Sequence, residues 1–191
     1  MLAPTEIIAL LKSDDTDVVN QTWEICAALT LNNRAEIAAV LVERYRWGWA
    51  ARALLPDQKA LRARLLMHFA IDCTSQALPL LTPRPQLYTF CEDALNDSRR
   101  LLVPGKDTAA AQAHLLSRCK RELRFSVRPG LPPAHMRSVV DATRIIIQGR
   151  DAAQVARHAS ALARRAIREG SETGAEQWQR ARFFALFLPV A

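Results

Sequence analysis

The sequence predicts an all-α protein of stacked helical hairpins, HEAT-like or α-solenoid-like, with about nine helices. Three observations carry that expectation. Half of the 191 residues are hydrophobic and only six are glycine. Alanine and leucine dominate the apolar set, while the β-branched and aromatic types that suit strands are few. Prolines and helix-capping residues divide the chain into segments of helical length. Finally, one passage occurs twice: Gly105-Lys106-Asp107, followed by His114, Arg121 and Arg124, returns 44 residues later as Gly149-Arg150-Asp151, followed by His158, Arg165 and Arg168. A helix pair cannot bury its apolar face alone, so a period in the forties points to hairpins that cover one another.

The elements follow in order. A short first helix over about 5–12 ends in Ser13-Asp14-Asp15-Thr16, capping types that start a second helix running to about Leu31. On that second helix Val18, Val19, Trp23, Cys26, Ala27 and Leu29 form one apolar stripe. Asn33 with Glu36 resembles a capping box for a third helix, about Arg34 to Leu54, which Pro56-Asp57 ends. The fourth helix, about Gln58 to Leu78, has the least polar perimeter. Leu61, Leu65, Leu66, Phe69, Ile71 and Cys73 place it at the centre of the stack.

Pro85 opens a fifth helix that runs to about Leu102, and Pro104-Gly105 ends it. A sixth spans about 107–127. The stretch 128–133, with Pro129-Gly130-Leu131-Pro132-Pro133, is either a hinge or a rigid turn between hairpins. The seventh helix, about His135 to Gln148, stops at Gly149, where a left-handed C-cap glycine is expected. An eighth runs over 151–169. The ninth, about Glu176 to Leu188, carries Trp178, Phe183, Phe184, Leu186 and Phe187, and is either clamped by the rest of the chain or docked on a partner. A chain of this length fits one domain over 1–191 and buries roughly 70% of the surface that its unfolded form exposes.

The formal charge of +7 is unevenly placed. Residues 1–97 hold 9 Lys+Arg against 12 Asp+Glu, a net of −3; residues 98–191 hold 17 against 7, a net of +10. The four cysteines stand far apart at no metal or redox spacing, which fits buried thiols in a reducing compartment. The N-terminal stretch lacks a basic region followed by an apolar core, and no run approaches the roughly 20 apolar residues of a membrane span. A cytoplasmic protein with no membrane role is the expectation, unless it leaves the cell by a route that uses no such signal.

No phosphate-cradling glycine loop, nucleophile elbow or zinc-binding His-Glu-x-x-His is present. His68 and Asp72, four apart on one helix, form a structural pair rather than a catalytic one, for want of a third group. The recurring His114 and His158 give only two imidazoles where a zinc site needs at least three protein ligands. Neither a catalytic residue, a metal nor a cofactor is therefore expected.

Arginines carry the partner-binding expectation. Arg150, Arg157, Arg164 and Arg168 recur at spacings of seven, seven and four. At 100° per residue that keeps them within about 40°, opposite the stripe of Val155, Ala159, Leu162 and Ala166. Arg118 and Arg121 extend this basic ridge from the sixth helix. Such a surface suits an acidic protein or phosphates. On a continuous third helix Leu41, Tyr45 and Trp49 share the buried face, so Trp47 projects outward beside Arg44 as a candidate contact residue.

The passage from His68 through Ala70-Ile71-Asp72-Cys73-Thr74 and Pro79 to Leu81, then Arg84-Pro85 and the helix with Ala94, Arg99 and Arg100, resembles the helical immunity proteins of bacterial polymorphic toxin systems. The resemblance covers the middle third of the chain. Thr74 stands where that family favours alanine, and Trp178 to Val190 replaces its alanine- and histidine-rich ending. Leu10-Leu11-Lys12-Ser13-Asp14-Asp15, with Val18-Val19, is similar to the loop-and-helix signature of HEAT-like repeats. The first resemblance implies a protein partner, a toxin neutralised by occlusion. The rival expectation is a HEAT-like helical repeat that binds nucleic acid through its basic half.

Overall fold

Side chains satisfy the first amide groups of the helices that begin at Thr16, Leu31 and Ala152, and prolines open others. In the computed structural model, which describes residues 3–103, 113–117, 132–149, 151–170 and 174–190, every regular element among those residues is helical. Helix α1 (Pro4–Leu10) opens on a proline, and the Glu6 carboxylate accepts from the Ala3 N–H. Asp15 caps α2 (Thr16–Ala28) by accepting from the amides of Asp17 and Val18. Thr30, not Asn33, sits at the start of α3 (Leu31–Glu43). After α4 (Trp47–Leu54) comes the long α5 (Lys59–Ala77), whose path continues as a 3-10 turn, Leu78–Leu81, where Pro79 prevents further α-helical bonding.

Pro85 is the first residue of α6 (Pro85–Leu101). A helical stretch over 113–117 is α7. Then come α8 (Ala134–Gln148), α9 (Ala152–Glu169) with Asp151 as its cap, and α10 (Ala175–Phe187), followed by a 3-10 turn, Leu188–Val190. Gly105, Arg118, Arg121, Arg150 and most of the 107–127 and 128–133 stretches lie outside the described residues. The equivalence of Gly105 and Gly149 therefore lies outside them too.

Two expectations about helix ends are corrected. The single helix over 34–54 is two, α3 and α4, broken at Tyr45 and Arg46. Gly149 does not take a left-handed conformation: its φ is −70° and its backbone is extended. Crowding explains the glycine instead. A Cβ built there would stand 1.9 Å from Val155 Cγ2 and 2.8 Å from the Ile145 carbonyl oxygen, so the α8–α9 connection is tight enough to exclude a side chain.

The core centres on α5, as its sequence predicts. Phe69, Ala70, Ile71, Cys73, Thr74 and Ala77 are all buried, and α4, α6, α8, α9 and α10 pack around the helix. The Thr74 hydroxyl donates to the Ala70 carbonyl, which lets a polar residue sit inside without an orphaned group. Burial, first, and the neighbouring Asp72 charge push the Cys73 thiol far above its usual range, so it is an inert packing residue.

α9 lies most extensively against α5 and α8 and also meets α4 and α10. The α5–α9 contact joins the two halves of the chain in one continuous buried cluster. α10 is part of that cluster. Phe183 and Phe187 are fully buried and stacked at 4.4 Å, and Phe183 meets Phe69 edge-on at 5.6 Å. Of the two readings of this aromatic helix, the clamped one describes its inner face.

Candidate interaction surface

The turn between α3 and α4 is built from backbone bonds that normally call for glycine. Tyr45 N–H donates to the Val42 carbonyl and Arg46 N–H to the Leu41 carbonyl, the paired bonds of a Schellman helix end. Its left-handed position holds Tyr45, at φ 55°, the only non-glycine residue with positive φ among the described residues. That conformation costs a tyrosine roughly 1–2 kcal/mol. What offsets the cost is packing: the Arg164 guanidinium lies 3.9 Å over the Tyr45 ring, and the ring leans on Trp47 at 6.0 Å.

The break changes the phase of everything after it. Trp47 does not project outward beside Arg44. It is 1% exposed, seated between Phe69 at 4.7 Å and Phe183 at 5.4 Å, and its indole N–H donates to Ser160 Oγ at 3.0 Å. The exposed tryptophan of a continuous helix is therefore corrected to a core residue. An apolar ring with a satisfied N–H is stable there. Trp49, half-buried, takes the outer position with Arg46 stacked 5.5 Å from its ring and Trp23 at its edge.

The α9 ridge is also rearranged. Ala153, Arg157, Ser160 and Arg164 share one face of α9, and the α3–α4 corner runs along it. Gly48 meets Ala153 so closely that a Cβ on it would lie 2.7 Å from the alanine Cβ; Trp47 meets Ser160; Tyr45 meets Arg164. Arg164 is consequently not a solvated arginine. It is half-buried, donates to Gln179 Oε1 at 2.7 Å, and burial is the main cause that lowers its pKa. Gln179, itself fully buried on α10, passes the connection on by donating to the Ser160 carbonyl at 3.1 Å. This network of Trp47, Ser160, Gln179 and Arg164 locks α4, α9 and α10 together.

What remains on the outside is a smaller cationic patch. Arg44 and Arg46 flank the corner, and Arg157 stands on the α9 face beside it; all three are exposed, and none holds an ion pair among the described residues. Arg168 is exposed but paired with Glu176 at 2.9 Å, and Arg165 with Glu169 at 2.8 Å. The 44–49 patch and the α9 ridge are separate in sequence, and the fold packs Tyr45, Trp47 and Gly48 of the first against α9. His114 and His158 are both exposed, and no group of three His, Cys, Asp or Glu among the described residues could hold a metal ion.

His68 and Asp72 share a face of α5, yet the carboxylate is held by arginines. Arg99 NH2 donates to Asp72 Oδ1 at 3.0 Å, and Arg182 donates to Oδ2 through Nε at 2.8 Å. The aspartate joins α5 to α6 and α10 rather than orienting an imidazole. No family model, curated protein or solved structure matches this chain, so its surface geometry carries the functional reading.

Proposed function

We propose that the protein is a non-enzymatic helical scaffold that binds another protein, and specifically that it neutralises a cognate bacterial toxin by covering it. The observation that carries this reading is the corner at 44–48. Exposed Arg44, Arg46 and Arg157 surround a turn held by a buried tryptophan and a hydrogen-bonded network. A surface already fixed in place loses little further conformational freedom on binding, and arginine is among the residues that anchor protein interfaces. Its sign fits an acidic partner face.

The toxin assignment is supported by the likeness of the middle third of the chain, from His68 to the helix with Ala94, Arg99 and Arg100, to helical immunity proteins. Stacked, HEAT-like hairpins belong to the same reading, with α3–α4 and α8–α9 as packed neighbouring pairs, and so does a cytoplasmic site of action. Among the described residues no helix is long and apolar enough to cross a membrane. A second reading, nucleic-acid binding, is favoured by the net +10 of residues 98–191.

Co-expression with the product of the flanking reading frame tests the proposal. The expected result is relief of growth arrest and a stable complex, with Arg44→Glu/Arg157→Glu slowing association because charges at the edge of an interface mainly set on-rates. A flanking product that neither arrests growth nor binds overturns the toxin assignment.

A further inference from the structure

Away from the α3–α4 corner, a second group of charges converges on α5. Arg64, His68 and Asp72 follow at four-residue intervals, so one face of the helix presents all three. α6 brings Arg99 to one oxygen of Asp72, and α10 brings Arg182 to the other. The Asp72 side chain is 14% exposed, whereas Arg99 and Arg182 keep 40% and 41%. A single inward carboxylate thus holds two guanidinium groups in place, Arg99 NH1 donating in addition to Asn96 Oδ1 at 3.2 Å, while both arginine side chains stay partly exposed. Three arginines against one aspartate leave a surplus of two positive charges. His68, half-buried among them, is held below its ordinary pKa by burial first; Asp72 raises it, and Arg99, Arg64 and Arg182 lower it again.

We propose that this face of α5, with Arg99 and Arg182, is a receptor for a phosphate group in its dianionic form. Phosphate offers oxygens in several directions to guanidinium donors arriving from three helices, and its two charges match the surplus. A carboxylate would compensate half of it. Arg64, Arg99 and Arg182 supply charge and N–H donors, neutral His68 supplies one further N–H, and Asp72 is a positioning residue that fixes two of the arginines. The site is independent of the arginine corner and of the toxin assignment.

His68 reports occupancy directly. In a proton NMR titration at constant ionic strength, replacing chloride by inorganic phosphate should raise its titration midpoint by about one pH unit, as an adjacent anion does. His68→Gln identifies the signal. Arg64→Gln is the decisive variant, since among the described residues Arg64 has no ion pair to lose; with its circular dichroism unchanged, it should abolish most of the shift. Free O-phosphoserine and a phosphoserine peptide separate two sources of the group: equal capture assigns a small phosphorylated molecule, tighter capture of the peptide a phosphorylated protein segment. A His68 midpoint that phosphate leaves unchanged, or a shift that survives unchanged in Arg64→Gln, overturns the proposal.

Discussion

Replacing Trp47 and Ser160 separately divides the packing of the corner from its hydrogen bond. Trp47→Ala should cost about 3–5 kcal/mol, the range for a large buried ring. Ser160→Ala leaves the buried indole N–H without its acceptor and should cost about 1–3 kcal/mol. Urea denaturation measures both, and near-equal small losses would show that Trp47 is not the core residue described. His68 gives a pH dependence of known sign. Its folded pKa lies below the ordinary 6.5, so across that window the unfolded chain binds more protons than the native one. Stability should therefore fall as pH drops below about 6.5, and His68→Gln should flatten that part of the profile. Phe69 was legible as a core residue because apolar residues occupy most of the perimeter of its helix. Trp47 was not, because its direction depends on a break whose left-handed position is held by Tyr45 instead of a glycine.

Helix existence was readable nearly everywhere, since caps and prolines state it: Asp15, Pro85 and Asp151 each begin a helix where their chemistry suggests. The α3–α4 break is the exception. It rests on a tyrosine in a left-handed conformation, tolerated because Arg164, more than a hundred positions later in sequence, covers the ring; such a contact has no local signature. Arg164 itself looked solvated for the same reason, its spacing matching Arg157 and Arg168 while its neighbour α10 supplied Gln179. Gly149 was identified as a required glycine with the wrong cause. Its φ suits alanine, so Gly149→Ala should fail through contact, chiefly with Val155 and also with the Ile145 carbonyl oxygen, costing about 1–3 kcal/mol as an overpacked site. Combining it with Val155→Ala should cost less than the sum of the two single changes, because one clash is shared. Strict additivity in thermal unfolding would show that the connection is looser than described.

At the scale of the whole molecule, the division of charge and the central α5 were both evident in the sequence, whereas the closure of α9 onto α4 and α5 was not. Period and composition report which helices exist and which faces are apolar, but not which distant faces meet. That closure matters for function because it seats the 45–48 turn, flanked by the exposed Arg44 and Arg46, against the face of α9 that also carries the exposed Arg157. The account assigns this surface to a protein partner, and its most exposed rival is nucleic acid. The direct test is anisotropy of labelled generic duplex and single strands, titrated with the protein at two salt concentrations and repeated with Arg44→Gln/Arg157→Gln. The account predicts no saturable binding at low salt. Tight binding whose logarithm falls with the logarithm of salt by about 0.9 per phosphate contacted on duplex, with a slope that the double substitution flattens, would contradict it.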